Sequence, residues 1–355
     1  MAVGSNAGQS VSTGIRNAIV GGLAGDAITT GSDNIAIGYA ALSSSDTGSR
    51  TVAIGSYALE DQNPTGADYF YNVAIGYAAG KEITTGTDNT IIGGLAGDAL
   101  TTGALNVAVG KAALGSEDTG STNVAIGHAA LMNQNYDGSA YNTAVGHNAG
   151  TAVTTGIYNT LLGGQAGDAL TTGGSNVAIG LNALGAEDTG SDSIAIGRSA
   201  LLNQNYDGSA YNVAIGRDAG KEVTTGIKNS LIGGLDALTT GNHNVAMGYE
   251  ALSSETQGDR NIAIGALALK NQNNTSDTDV YNVAVGHNAG LTMTTGATNT
   301  LIGGLVGSSL TTGGANVAIG YNSLQAEDTG GRNTAIGWGT LTNLDAGANA
   351  YNVAI

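Results

Sequence analysis

A short motif recurs along the whole chain: an Asn, an alternating apolar triplet and a Gly, as in Asn106, Val107, Ala108, Val109 and Gly110. β-Branched residues flank an Ala in most copies, a period of two that predicts a short strand with one face turned inward. The bulky residues, Ile126 for example, are expected to fill the interior. The Gly after each triplet, and a TG or DG some ten residues later, mark two corners where positive φ or close backbone approach suits Gly. Each unit therefore reads as strand, corner, strand, corner.

Anchor glycines lie mostly 17 residues apart, as from Gly76 to Gly93, Gly110 and Gly127, and then 19 separate Gly127 from Gly146, where the wording restarts. Four short units thus make a super-repeat of about 70 residues, and five of them cover residues 1–71, 72–141, 142–211, 212–281 and 282–355. Internal repetition at a fixed period is the signature of a solenoid. The fold expected is all-β: a parallel β-solenoid of about 20 rungs of ~17 residues, stacking at about 4.8 Å per rung into a rod of roughly 95 Å. The asparagines before the triplets, Asn72, Asn89, Asn106, Asn123, Asn142, Asn159 and Asn176 in the first half, predict a ladder of side-chain amides, each donating to its neighbour.

Gly numbers 59 of 355 residues and Pro 1, while Phe and Trp occur once each, so the core is thin and an ordinary enzyme is disfavoured. Eleven Lys and Arg against 28 Asp and Glu give a net charge of −17, which repels nucleic acid and anionic membranes. No Cys is present, excluding disulfides and thiolate chemistry. No apolar run is long enough to cross a membrane, and the first ten residues lack the pattern of a signal peptide, so the chain reads as soluble. Both ends fall inside a rung, and the expectation is a segment of a longer fibre. Small-residue strips of Ala and Gly predict close packing of three copies about an axis.

The recurrent NVAIG, TVAIG and NTAIG followed by AL or AG resemble the β-roll repeats of trimeric autotransporter adhesin heads, and still more the AIG-x-x-AL arrays of phage tail-fibre proteins. The resemblance covers essentially the whole chain. It implies a left-handed solenoid, a homotrimeric fibre, other tail or fibre proteins and a host cell-surface glycan or protein receptor as partners, and a place in a virion tail fibre. The spacing of 17 with Asn departs from the shorter, Ser-led adhesin repeat, so a bacterial surface adhesin head, extracellular, is the alternative. A polysaccharide-degrading tailspike is a third.

Candidate chemistry is sparse. Acidic pairs at Glu117 and Asp118, Glu187 and Asp188, and Glu327 and Asp328 could imitate a glycosidase dyad, but their recurrence reads as a solvated corner. The loops 133–138 and 203–208, NQNYDG, match the middle of a calcium loop, without an acidic first ligand and with Ala144 and Ala214 where a bidentate Glu belongs. Threonine pairs (Thr84 and Thr85, Thr101 and Thr102, Thr154 and Thr155, Thr171 and Thr172) read as corner residues rather than an ice-binding row. His128, His147, His243 and His287 read as scattered surface residues. Tyr71, Tyr141, Tyr211, Tyr281 and Tyr351 recur every 70 residues just before an anchor Asn. With Tyr136 and Tyr206 they either lock the long corner or touch a ligand. No catalytic residue or obligatory cofactor is expected.

Overall fold

The computed structural model of the protein is all-β and describes residues 1–63, 69–233 and 237–355. It is a parallel β-solenoid of about 20 turns, each contributing one strand of three residues, such as Thr90–Ile92, Val107–Val109 and Val124–Ile126. The chain divides into two compact units, Met1–Ala178 and Ile179–Ile355. In the first, every strand pairs in register with the strand one turn on, Val107 opposite Val124 and Val109 opposite Ile126. The second repeats this, Val283 opposite Thr300 and Val285 opposite Ile302.

Alternation is present, but its sense is the reverse of the one expected. The central residue of each triplet faces inward: Ala108, Ala125 and Ile91 are fully buried, while Ile126 is 37% exposed. Bulk at the strand centre is restricted because other side chains already reach the axis. Where the fourth residue after the anchor Gly is a buried Leu, as at Leu114 and Leu131, the strand centre is Ala. Where that residue is Gly97, the centre is Ile91, and a Cβ on Gly97 would lie 3.2 Å from the Ile91 side chain. Between these turns, volume lost at one inward position is regained at another; first turns, with Ala74 and Gly80, are small at both.

The remainder of each turn is not a second strand. From Leu100 the inward residues come at intervals of three, Leu100, Gly103 and Asn106, with two outward residues between them. Three residues per turn is the period of an extended polyproline-like path, not of a pleated strand. This segment is still tied to the next turn, with Thr84 N–H donating to Thr101 O at 2.9 Å. Among the described residues, regular pairing beyond the triplets occurs only from the third turn of a super-repeat to the fourth, as at Gly258–Asp259 with Thr278–Asp279, and Ser121 with Ser139.

Two different constraints demand the glycines. Anchor Gly93 has φ +138°, and a Cβ there would sit 2.5 Å from the Gly110 carbonyl oxygen of the next turn. Gly103 has an ordinary φ, yet a Cβ would lie 2.2 Å from Gly120 O, so close approach alone excludes a side chain. Between them the chain turns twice, Ala96 N–H to Gly93 O and Leu100 N–H to Gly97 O. Non-glycine residues also occupy the left-handed region there, among them Leu95 at φ 58° and Leu105 at φ 61°. Such residues are costly alone and persist because neighbouring turns hold their backbones, Leu95 N–H on Tyr77 O and Leu105 N–H on Thr87 O.

Candidate functional site: the layered core and the exposed ladders

Seven residues after most anchor glycines, the chain places one side chain in the interior. In the second super-repeat these are Ile83, Leu100, Glu117 and Gln134, all fully buried. The third has Val153, Leu170, Glu187 and Gln204, buried likewise. Two apolar layers therefore alternate with two polar ones.

The expected solvated corner is thus corrected: Glu117, Glu187, Glu255 and Glu327 are interior residues, whereas Asp118, Asp188 and Asp328 are not. Their role follows from the longer loop of the fourth turn. In the first turn Gly86 N–H donates to Thr101 O of the turn above. Below the long loop that acceptor is displaced, and the glutamate of the same turn replaces it: Gly120 N–H to Glu117 Oε1 at 2.8 Å, Gly190 N–H to Glu187 Oε1 at 2.7 Å. The loop is tied to the same carboxylate through Tyr136 N–H and Tyr206 N–H, and Gln204 Nε2 donates to Glu187 Oε2 at 3.0 Å. Burial pushes the carboxyls of Glu117 and Glu187 above the usual range, and these hydrogen bonds offset only part of that. Each of these glutamates is enclosed, and Glu117 and Glu187 are committed to their own loops.

Most of the ladder asparagines close their own turn and order the next. Asn89 Nδ2 donates to Gly103 O at 2.9 Å, and Asn89 Oδ1 accepts Asn106 N–H at 2.9 Å. Asn72, Asn106, Asn142 and Asn159 make the same pair of contacts, and Asn176 N–H continues the series on Asn159 Oδ1. The ladder therefore runs from backbone to side chain rather than amide to amide. Among the described residues, direct contacts between ladder amides are found in the last super-repeat, as from Asn316 Nδ2 to Asn299 Oδ1, while Asn72 and Asn142 also donate to the buried Gln62 and Gln134. At Asn123, in the fourth turn, Nδ2 is buried with no partner among the described residues. Copies with a hydroxyl at that place use it: Gln62 Nε2 donates to Thr51 Oγ1, and Gln204 Nε2 to Ser193 Oγ.

The recurrent tyrosines do not pack under the loop. Phe70, Ala140 and Ala210, one residue earlier, are the buried ones, while Tyr71, Tyr141, Tyr211, Tyr281 and Tyr351 stand about half exposed with φ near +50°. Tyr71, Tyr281 and Tyr351 hydrogen-bond to Arg50, Arg260 and Arg332 of the preceding turn, and Tyr141 stacks on Tyr158 at 5.8 Å. Tyr136 and Tyr206 are half-buried, each ring lying over its own loop glycine, Gly138 or Gly208. His128 and His147, far apart in the chain, stack with centroids 5.3 Å apart, because both follow an anchor Gly on successive turns. The first Thr of each pair is structural, Thr101 Oγ1 donating to Asp118 O at 2.9 Å, and the second, Thr85 for example, is exposed.

For a cation, Asn133, Asn135 and Asp137 of the calcium-like loop are exposed, and Asp137 already accepts Thr119 Oγ1 at 2.7 Å. Carboxylates of Glu327, Asp328 and Asp345 lie within 4.8 Å of one another, but Glu327 is occupied by Gly330 and Ala346 N–H groups. Sequence reasoning missed the buried Gln62, Gln134, Gln204 and Gln272; their recurrence at the same place in the long loop was the available signal. No helix among the described residues is long and apolar enough to cross a membrane. No protein-family model matches the chain, and no curated protein matches it.

Proposed function

We propose that this chain is a non-enzymatic fibre module that associates with copies of itself, three about a common axis, as the shaft of a phage tail fibre with an attachment role at host cell-surface glycans. The outward face of the strands carries this reading. In the first unit its two columns run through Ile35, Val52, Val73 and Val124 on one side and Ile37, Ile54, Ile75 and Ile126 on the other. None of the column residues is charged. Ten strands at about 4.8 Å give a strip roughly 43 Å long and, two residues wide, on the order of 300 Å². Thr90, Thr143 and Thr160 interrupt the first column, and a strip of this size is in the range at which exposed apolar patches are often functional; association would bury it. Small-residue packing is not the basis, since the alanines face inward.

Light scattering tests this directly. A native mass three times 34.8 kDa is expected. Ile75→Asp with Ile126→Asp should yield monomers whose circular dichroism is that of the parent. A monomeric parent, or a double variant still fully associated, overturns the reading.

A further inference from the structure

One constellation occurs in a single copy, which the repeat itself does not require. In the first unit Tyr57 lies edge-on between Tyr39 and Tyr77, with centroids 5.4 and 6.0 Å apart and interplanar angles of 80° and 89°. Tyr57 and Tyr77, with Leu95, Glu60, Lys81, Glu82 and Asp98, border a groove of about 510 Å³, within the range of ligand sites. The places of Tyr57 and Tyr77 are taken by Ala129 and His147 in the next super-repeat, and by Ser199 and Arg217 in the one after. Glu60 and Glu82 give way to Met132 and Ala152. Glu82 and Asp98 recur in other copies, as Glu222 and Asp168, but Tyr57, Glu60 and Tyr77 do not, so this combination of rings and carboxylates is found here.

The groove's charge is unbalanced. Lys81 Nζ lies 3.9 Å from Glu60, leaving Glu82 and Asp98 without an ion-pair partner within 4 Å among the described residues. Tyr77 is 60% exposed, Glu82 is exposed and Asp98 is half-buried at the groove's border, so a ring and two carboxylates meet in one groove. Aromatic rings take the C–H face of a sugar or a cation, and carboxylates accept from ammonium and hydroxyl groups. Because the polar and aromatic groups are distributed over three successive turns, about 4.8 Å apart, a chain of repeating units engages them better than a single small ion.

We propose that this groove binds an oligosaccharide of amino sugars with free amines, the ammonium groups meeting Glu82 and Asp98 and the sugar faces meeting Tyr57 and Tyr77. The proposal rests on the attachment part of the reading above, not on self-association. The probe is a glucosamine tetramer titrated calorimetrically into the full-length chain in mildly acidic buffer, with the fully N-acetylated tetramer as comparator. Binding of the free amine, at least about tenfold weaker for the acetylated form, is expected. Tyr77→Ala and Glu82→Gln should each weaken it by about tenfold, with thermal midpoints unchanged. Glu222→Gln, at the place of Glu82 two super-repeats on, should leave it intact. Absence of binding, equal binding of the acetylated tetramer, or an equal loss from Glu222→Gln, which would signal capture by net charge alone, overturns the proposal. A monomer that binds the tetramer would overturn only the fibre reading, and a trimer that does not would overturn only this one.

Discussion

The apolar and polar halves of a super-repeat have the same backbone but opposite interiors. Turns one and two close over Ile83 and Leu100; turns three and four close over Glu117 and Gln134. The polar half carries the long loop, and there the buried glutamate accepts the corner glycine N–H that in the first turn bonds to the turn above. A buried carboxylate is thus the consequence of an insertion, not an ornament of the surface. The first super-repeat provides an internal control: Ser45 stands where Glu117 does, and Phe70, the chain's one Phe, fills the volume left to Ala140 elsewhere. Polar satisfaction and volume are exchanged for one another at the same junction.

Moving a carboxylate into the apolar half should break this scheme most severely. Leu100→Glu buries a carboxyl in an apolar layer, without the long-loop N–H groups that serve Glu117, and should cost about 4 kcal/mol or more, read as lost amide-exchange protection over the flanking turns. Phe70→Ala comes next, about 3–4 kcal/mol, and in a double-mutant cycle Ser45→Glu should recover part of it. Glu187→Ala removes the carboxylate acceptor of the Gly190 and Tyr206 N–H groups, while Gln204 Nε2 keeps Ser193 Oγ, for about 3 kcal/mol, with exchange accelerating at that loop first. Glu117→Gln, able to keep one acceptor oxygen, should cost about 1 kcal/mol; an effect within error would place the carboxylate's charge outside the loop's requirements.

The smallest effect is on pH dependence. Glu117 and Glu187 have carboxyls raised by burial, so they hold protons more tightly folded than unfolded. Their contribution to stability is fully present below the ordinary carboxylate range and is lost as pH rises through the raised values. Asp98, Asp168 and Asp259, raised chiefly by burial, act in the same direction. Denaturation midpoints should therefore climb as pH falls from neutral toward mildly acidic, and Glu117→Gln with Glu187→Gln should flatten that climb. Asp33 and Glu250, lowered by Arg16 and Lys270, act oppositely but on the exposed surface.

Period and anchor glycines made the solenoid legible, because both rest on local backbone sterics that a sequence displays. Orientation was not legible from the triplet: Val107, Ala108 and Val109 alternate equally well with either face inward. Deciding between them requires knowing that Leu114 enters from the corner. Likewise Glu117 looks solvated beside Asp118, and only the length of the following loop explains why it is inside. The groove at Tyr57 and Tyr77 was hidden because attention went to what repeats, while a binding site in such a chain is sought in what does not.

The composition of the interior has a calorimetric consequence. The buried side chains are mostly Ala, Leu, Asn and a few Glu and Gln, with a single aromatic. Each residue ordered thus removes little hydrocarbon from water relative to the peptide groups it pairs. The heat-capacity increment on unfolding should fall below the usual ~12–15 cal/mol/K per residue, so the stability curve is shallow. Such a molecule loses little on cooling and yields slowly on heating, a thermal tolerance obtained from bonds between backbones rather than from oil.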